Sequence, residues 1–190
     1  KINGIEIRTI FRYNMHINEW TQEDNKAMIG IIGAMEEEVA ALKEAMEVQE
    51  TVEKASMVFC KGILCGKEAV IVRSGIGKVN AGICAQILVD RFGADMLINT
   101  GIAGSLDAKI DIGDMVISTD ALHHDMDATE FGYPVGQVPR MEVMSFPADE
   151  ELVKKAVWAS EKANPDIHTF TGRVASGDQF IASREVKDKI

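Results

Sequence analysis

The chain has 190 residues, of which 46% are hydrophobic, and its formal net charge is -10 at pH 7. This length and composition suit one α/β domain with a substantial core, or one that is slightly incomplete. The negative charge argues against nucleic acid or an anionic membrane as a partner, because both need a basic protein surface. A neutral or cationic small ligand is compatible with it.

Residues 1–27 differ in character from the rest of the chain. The stretch "NEWTQEDNKA" is polar and aperiodic, whereas Met28 opens a clean apolar strand. We therefore expect residues 1–27 to be an extension outside the core and residues 28–190 to form the domain. The alternative is an additional edge strand around "IEIRTIF".

From Met28 onward, strand and helix patterns alternate. The predicted elements, in chain order, are a strand at 28–33, a helix at 35–46, two strands within 57–75 joined by a turn near Gly66, a helix at 77–92, a strand at 94–101, a strand at 113–124, a helix at 148–163, a strand within 168–180 and the start of a helix at 183–190. Such alternation predicts a mostly parallel sheet covered by helices on both faces. The last helix has no cap or glycine, so we expect the domain to continue beyond Ile190.

The three cysteines are Cys60, Cys65 and Cys84, and no C-x-x-C pair occurs. An odd number without such a pair favours reduced, buried thiols and a reducing compartment. No apolar run reaches the length of a membrane span, and the first residues do not resemble a signal peptide. We therefore predict a cytoplasmic protein.

The stretch "IGIIGAMEEEVAALKEAM" places three glutamates where a helix leaves a strand. At about 100° per residue, an apolar stripe forms from Met35, Val39, Leu42 and Met46. Glu37 points to the opposite side, and Glu36 lies off the flank. Glu38 lies roughly 60° from Met35 and borders the stripe, so it is best placed at the edge of a buried pocket. The alternative is that all three glutamates only favour the helix N-terminus.

Two glycine-rich turns follow predicted strands. "SGIGKVNAG", residues 74–82, resembles a dinucleotide-binding loop, but Asn80 occupies the place of the third glycine, which argues against NAD. We expect a tight turn that brings backbone close to some other ligand. "INTGIAGSL", residues 98–106, would let backbone amides approach a ligand, or is an ordinary turn.

Two later segments carry aromatic residues in loops. In "HHDMDATEFGY", adjacent histidines in a strand point to opposite faces, so a shared metal ion is not expected and a structural role is favoured. Phe131 and Tyr133 lie in a polar loop, which is typical of an interface or a ligand contact. In "SGDQFI", Phe180 could stack on a planar ring.

In order and spacing, these segments resemble the 5'-methylthioadenosine/S-adenosylhomocysteine nucleosidases of the nucleoside phosphorylase superfamily, from Met28 to Ile190. The resemblance implies a three-layer α/β/α sandwich with a central mixed sheet, usually as a homodimer. It implies that water hydrolyses the N-glycosidic bond of an adenine nucleoside, without cofactor or metal. The products would be adenine and a 5-thioribose, as in methionine salvage.

The resemblance also implies roles for individual residues. Glu38 would handle the water as the catalytic residue. The substrate contacts that it implies are Ala34 and Met35 near ribose and water, Ile76 near the sugar, Ile102, Ala103 and Gly104 along base and sugar, Phe180 stacked on adenine, the backbone of Ile181 at the adenine edge, and Phe131 and Pro139 reaching the partner subunit's 5'-alkylthio pocket.

The sequence departs from the family pattern in two places. Ile102 stands where the family often has a serine that helps to hold the water. The family's V-E-M-E segment, whose glutamate grips the ribose hydroxyls, and its S-D segment, whose aspartate protonates adenine, are absent from these 190 residues. General acid catalysis contributes about 10²–10⁴-fold, so we expect this chain to be impaired in turnover.

Two other functions stay open. The related phosphorylases hold phosphate with arginines in this region, whereas this chain has glutamate in the turn and no arginine in "INTG". A carboxylate there would repel phosphate and can accept a proton from water, which favours hydrolysis. The alternatives are a nucleoside phosphorylase and a non-catalytic adenosine-binding module.

Overall fold

The computed structural model describes residues 27–190. The predicted extension, apart from residue 27, and the alternative strand at "IEIRTIF" lie outside the described residues. Within them the chain forms two compact units, which are residues 27–102 and residues 103–190. These are called the first and the second unit below.

A five-stranded sheet with two helices makes up the first unit. Its strands are β1 (Ile29–Gly33), β2 (Glu47–Lys54), β3 (Met57–Leu64), β4 (Lys67–Arg73) and β5 (Met96–Asn99), in the order β2-β3-β4-β1-β5. The helices are α1 (Glu36–Ala45) and α2 (Lys78–Phe92). α2 ends at Gly93 in the left-handed conformation (φ 65°), as the sequence predicts.

The sheet is mixed, so the expectation of a mostly parallel sheet is wrong for this unit. β1 runs parallel to β4 and β5, whereas β3 runs antiparallel to β2 and β4. The antiparallel pairs follow from two-residue turns, which cannot connect parallel strands. Strand β2 was not predicted, because its turn to β3 consists of Ala55 and Ser56, both at positive φ without a glycine or asparagine.

The two faces of this sheet are covered by different helices. Alternate residues of β1 and β4 point to opposite faces, which splits the buried core in two. Facing α1 are Ile29, Ile31, Val39, Leu42, Met46, Leu64, Ala69 and Ile71. Facing α2 are Met28, Ile32, Met57, Phe59, Val70, Val72, Cys84, Leu88 and Ala94. This arrangement confirms the predicted α/β/α layering with a mixed sheet.

The second unit has a smaller, three-stranded sheet. Its strands are β6 (Met115–His123), β7 (Phe146–Pro147) and β8 (Thr169–Ser176), in the order β7-β6-β8. β6 runs parallel to β8 and antiparallel to the two-residue β7, which was not predicted. The unit also contains helix α3 (Glu150–Ala163), a 3-10 turn at Thr129–Phe131 and a four-residue helix α4 (Arg184–Lys187).

Polar contacts hold α3 and the strands of this unit in place. Asp149 caps α3 by accepting a hydrogen bond from the Leu152 amide at 2.9 Å. Asp120 on β6 lies opposite Arg173 on β8 and accepts three hydrogen bonds from its guanidinium, at 2.5 to 3.0 Å. These hydrogen bonds lower the pKa of Asp120. None of the helices within residues 27–190 combines the length and the apolar composition that a membrane span requires.

Candidate active site

The carboxyl ends of the parallel strands lie side by side in the first unit. The Ser74 amide, after β4, donates to the Gly33 carbonyl of β1 at 2.9 Å. The Thr100 amide, after β5, donates to the Ile32 carbonyl at 2.9 Å. In α/β sheets ligands bind beyond this edge, so the chemistry of the turns that leave it is of most interest.

Glu38 is the buried carboxylate at this edge. It lies in the first turn of α1 and is 6% exposed. Its Oε2 accepts hydrogen bonds from the amides of Ala34 at 2.7 Å and Met35 at 3.0 Å. Its Oε1 accepts one from the Ile102 amide at 3.1 Å, across 64 positions of sequence. The structure thereby joins four of the predicted site residues directly.

The other two glutamates of the cluster face outward. Glu36 and Glu37 are exposed, and Glu36 pairs with Lys43 at 2.8 Å. The helical-wheel prediction that Glu38 alone borders the buried stripe is therefore confirmed. The bond from Glu38 to Met35 also satisfies the start of the helix, as the acidic residue of a capping box does. A helix cap does not require the additional hydrogen bond from Ile102, so capping alone does not account for the burial and hydrogen bonding of Glu38.

Three backbone donors leave the carboxylate of Glu38 with little spare capacity. An ionised carboxylate has about four acceptor positions on its two oxygens. Two amides occupy Oε2 and one occupies Oε1. About one position, on Oε1, therefore stays available to an O–H donor such as water. The amides also fix the orientation of the carboxylate, so it needs no rearrangement to meet that donor.

The approach of Ile102 to this carboxylate depends on Gly101. A Cβ built on Gly101 would lie 2.5 Å from Oε1 of Glu38 and 2.8 Å from its Cδ. Any side chain at this position would displace the carboxylate. The Ile102 amide donates to Glu38, and the expectation that amides of "INTGIAG" approach a ligand stays a prediction. Gly101 was not among the predicted site residues, although a glycine two residues after an apolar strand was a usable signal.

The turn from Ser74 to Gly77 lies between β4 and α2. Gly75 and Gly77 have positive φ, 85° and 103°, so the tight turn expected from the sequence is confirmed. The side-chain amide of Asn80 donates to the Ile76 carbonyl at 2.7 Å, a bond that a glycine could not make. Asn80 therefore has its own structural role here. Ile76 projects from the turn and is 75% exposed.

The remaining predicted site residues belong to the second unit and lie in its loops. Ala103 and Gly104 begin the unit and are exposed. Phe131 closes the 3-10 turn and is 83% exposed, and Pro139 is half-buried. Phe180 is 88% exposed, next to the half-buried Ile181. The structure shows two bulky aromatic rings on loop surfaces, and their roles stay predictions.

The two adjacent histidines have different neighbours. The ring of His123 packs edge-on against Phe146, with centroids 6.0 Å apart, and its Nδ1 is buried without a partner. His124 lies against Gly177. In the part of the chain that the structure describes, no group of three or more histidine, cysteine, aspartate or glutamate residues could hold a metal ion.

Comparison with known proteins places the chain in a family. The family model described as the phosphorylase superfamily matches residues 28–190. A 5'-methylthioadenosine/S-adenosylhomocysteine nucleosidase of Staphylococcus haemolyticus is 46% identical over 156 residues, which is 82% of this chain and 67% of the relative. The enzyme of that name from Staphylococcus aureus strain MRSA252 is 45% identical over 163 residues, 86% of this chain and 70% of the relative.

Solved structures give the same result. The nucleosidase of Colwellia psychrerythraea 34H, in complex with adenine, is 42% identical with a TM-score of 0.82, over 86% of this chain and 67% of that one. The Neisseria meningitidis nucleosidase, in complex with methylthio-immucillin-A, is 38% identical with a TM-score of 0.80, over 85% and 69%. The chain belongs to the phosphorylase superfamily and, within it, to the 5'-methylthioadenosine/S-adenosylhomocysteine nucleosidases.

Proposed function

We propose that this chain binds 5'-methylthioadenosine and S-adenosylhomocysteine and hydrolyses the bond between adenine and ribose. The observation that carries the proposal is the buried Glu38 carboxylate, held by three backbone amides at the carboxyl edge of the sheet. The family membership supplies the substrate class. A solved relative in complex with adenine supports the same assignment.

In the proposed reaction Glu38 acts on the attacking water. The water oxygen forms a bond to C1' of the ribose, and the bond from C1' to N9 breaks with its electron pair leaving on adenine. Glu38 accepts a proton from the water at its remaining acceptor position. Its negative charge also favours the positive charge that builds on the sugar, as in glycoside hydrolysis.

The same carboxylate favours water over phosphate as the nucleophile. Two like unit charges 4 Å apart repel by about 4 kcal/mol at the effective dielectric constant near a protein surface. Glu38 is buried and its amide donors are already engaged, so they are not available to neutralise a phosphate. The expected consequence is that added phosphate does not raise the rate of adenine release, which distinguishes the nucleosidase from a phosphorylase.

We assign the other predicted residues to the substrate as the family resemblance implies. Phe180 stacks on adenine, and the backbone of Ile181 binds its edge. Ala34, Met35 and Ile76 lie near the ribose, and base and sugar contacts come from Ile102, Ala103 and Gly104. The exposure of Phe180 and Ile76 supports these roles, because both side chains are accessible to a ligand. Ile102 has no side-chain hydroxyl that could hold the water. Its contribution is the backbone amide, which donates a hydrogen bond to Glu38 and so orients that carboxylate.

We also infer a homodimer in which Phe131 and Pro139 reach the partner subunit's 5'-alkylthio pocket. Phe131 is 83% exposed, so its aromatic ring is accessible to a partner subunit. The N-terminal part of α2 and the preceding turn expose a further apolar stripe, Ile76, Val79 and Ile83. A cytoplasmic location is the matching inference, supported by three free cysteines.

The experiment is adenine release from 5'-methylthioadenosine without phosphate, by wild type and by Glu38→Gln. The glutamine keeps the shape of the side chain but does not accept a proton from water, so it should lower the rate about 10²–10⁴-fold. Equal rates for the two would refute the role of Glu38. Nucleoside binding without adenine release, both by this chain and by a version completed with the V-E-M-E and S-D segments, would favour the binding-module alternative.

The prediction that the 190-residue chain turns over slowly is tested with the same assay. A version that also carries the V-E-M-E and S-D segments is the comparison. Faster release by that version would place the ribose-binding glutamate and the acid in those segments. Equal, full activity of both would refute the prediction of impairment and leave the assignment of Glu38 untouched.

A further inference from the structure

The segment that follows β6 is bonded to both aromatic loops of the second unit. The His124 amide donates to the Ser176 carbonyl at 2.9 Å, and the Asp178 amide donates to Oδ2 of Asp125 at 2.9 Å. On the other side, the Gly136 amide donates to the Met126 carbonyl at 2.8 Å. Three consecutive residues thus contact the loop of Phe180 and the loop of Phe131.

Asp125 extends the pairing of two strands beyond their ends. β6 and β8 run parallel, with His123 opposite Ser176 as their last pair. The next bond, from His124 to Ser176, is still between backbone groups. The amide of Asp178 then meets a side-chain carboxylate in place of a backbone carbonyl. A charged acceptor forms a stronger hydrogen bond than a neutral one, so the loop is anchored firmly two residues before Phe180.

His124 fixes the same loop by packing. A Cβ built on Gly177 would overlap the imidazole of His124, so the ring lies directly on the backbone between Ser176 and Asp178. Only glycine leaves room for it. The imidazole and the Asp125 carboxylate therefore hold two successive residues of one loop.

The position of the exposed Phe180 ring depends on the backbone of the loop that carries it. The side chain of Phe180 is 88% exposed, so contacts of the ring with the rest of the protein contribute little to its position. We propose that Asp125 is a positioning residue for adenine recognition, because it holds residues 177–181 where Phe180 and the backbone of Ile181 meet the base. The inference rests on the proposed function, which assigns those two residues to adenine.

The test is the affinity for adenine, measured by calorimetry on the 190-residue chain. Asp125→Ala should weaken adenine binding roughly tenfold or more, as expected for loss of a charge-assisted hydrogen bond. Asp125→Asn keeps an oxygen that accepts from the Asp178 amide, so it should restore most of the affinity. In a Phe180→Ala background, Asp125→Ala should weaken binding less than it does in wild type, because the contribution of the ring is already lost and only the backbone contact of Ile181 depends on Asp125.

A matched control separates positioning from stability. Asp149→Ala removes an equivalent bond between a carboxylate and an amide, at the start of α3, and should lower the melting temperature without changing adenine affinity. Hydrogen exchange of the Asp178 amide should be faster in Asp125→Ala than in wild type, and unchanged in Asp149→Ala. Given adenine binding by wild type, unchanged affinity in Asp125→Ala, or full additivity with Phe180→Ala, would overturn the positioning role and leave the proposed adenine site standing. No adenine binding by wild type would overturn both.

Discussion

Replacing Gly101 by alanine tests the geometry of the proposed catalytic carboxylate most directly. The added Cβ would lie 2.5 Å from Oε1 of Glu38, whereas ordinary contact begins near 3.4 Å. The backbone of Gly101 is flanked by the strand end and by Ile102, so the carboxylate has to give way by about 1 Å. The hydrogen bond from the Ile102 amide, 3.1 Å long, would then be lost.

Both activity and stability should respond to this substitution. A displacement of about 1 Å at a reacting group lowers a rate by roughly 10²-fold, and overpacking costs about 1–3 kcal/mol of folding free energy. The assay is kcat for adenine release, together with urea unfolding. Gly172→Ala on β8 is the control, because a Cβ there meets nothing within 4 Å. Full activity with unchanged stability in Gly101→Ala would refute the account of how Glu38 is held.

Three further predictions concern other parts of the structure. Asn80→Gly removes the side-chain amide that bonds to the turn before α2, so urea unfolding should show a loss of about 1–2 kcal/mol; an unchanged midpoint would contradict this role. Burial raises the pKa of Cys84 to about 11, so at pH 8 a thiol reagent should react with exposed Cys65 well before Cys84, whose reaction should follow unfolding. The guanidinium of Arg173 holds the pKa of Asp120 below its ordinary value, so the pair stabilises the fold above that value and loses its contribution as the pH falls through the lowered pKa. The melting temperatures of wild type and Asp120→Asn should therefore differ at pH 7 and converge in strong acid.

Local patterns in the sequence were sufficient for most of the elements. The apolar run of β1, the stripe of α1 and the glycine after α2 each depend on neighbouring residues, so their structure follows from periodicity and caps. The wheel also identified Glu38 as the buried glutamate, because three residues of one helical turn point in fixed, different directions. The family and its substrate class came from six segments in a fixed order.

Edge strands and turns were less predictable. β2, "EVQETVEK", has side chains exposed at almost every position, so it lacks the alternation that identifies a half-buried strand. Its turn reaches positive φ at Ala55 and Ser56, residues that give no turn signal. Its antiparallel pairing with β3, together with that of β3 with β4, makes the sheet mixed where a mostly parallel one was expected.

The contacts that define the candidate site were decided by the tertiary structure. Glu38 and Ile102 are 64 positions apart, and Asp125 and Asp178 are 53 apart, so no local pattern reports that they meet. The need for glycine at 101 and 177 arises only when a carboxylate or an imidazole lies against the backbone. The sequence by itself determined which residues could do the chemistry, because residue type and helical direction are local properties. Which amides orient the carboxylate, and which carboxylate anchors the Phe180 loop, depended on how distant strand ends come together.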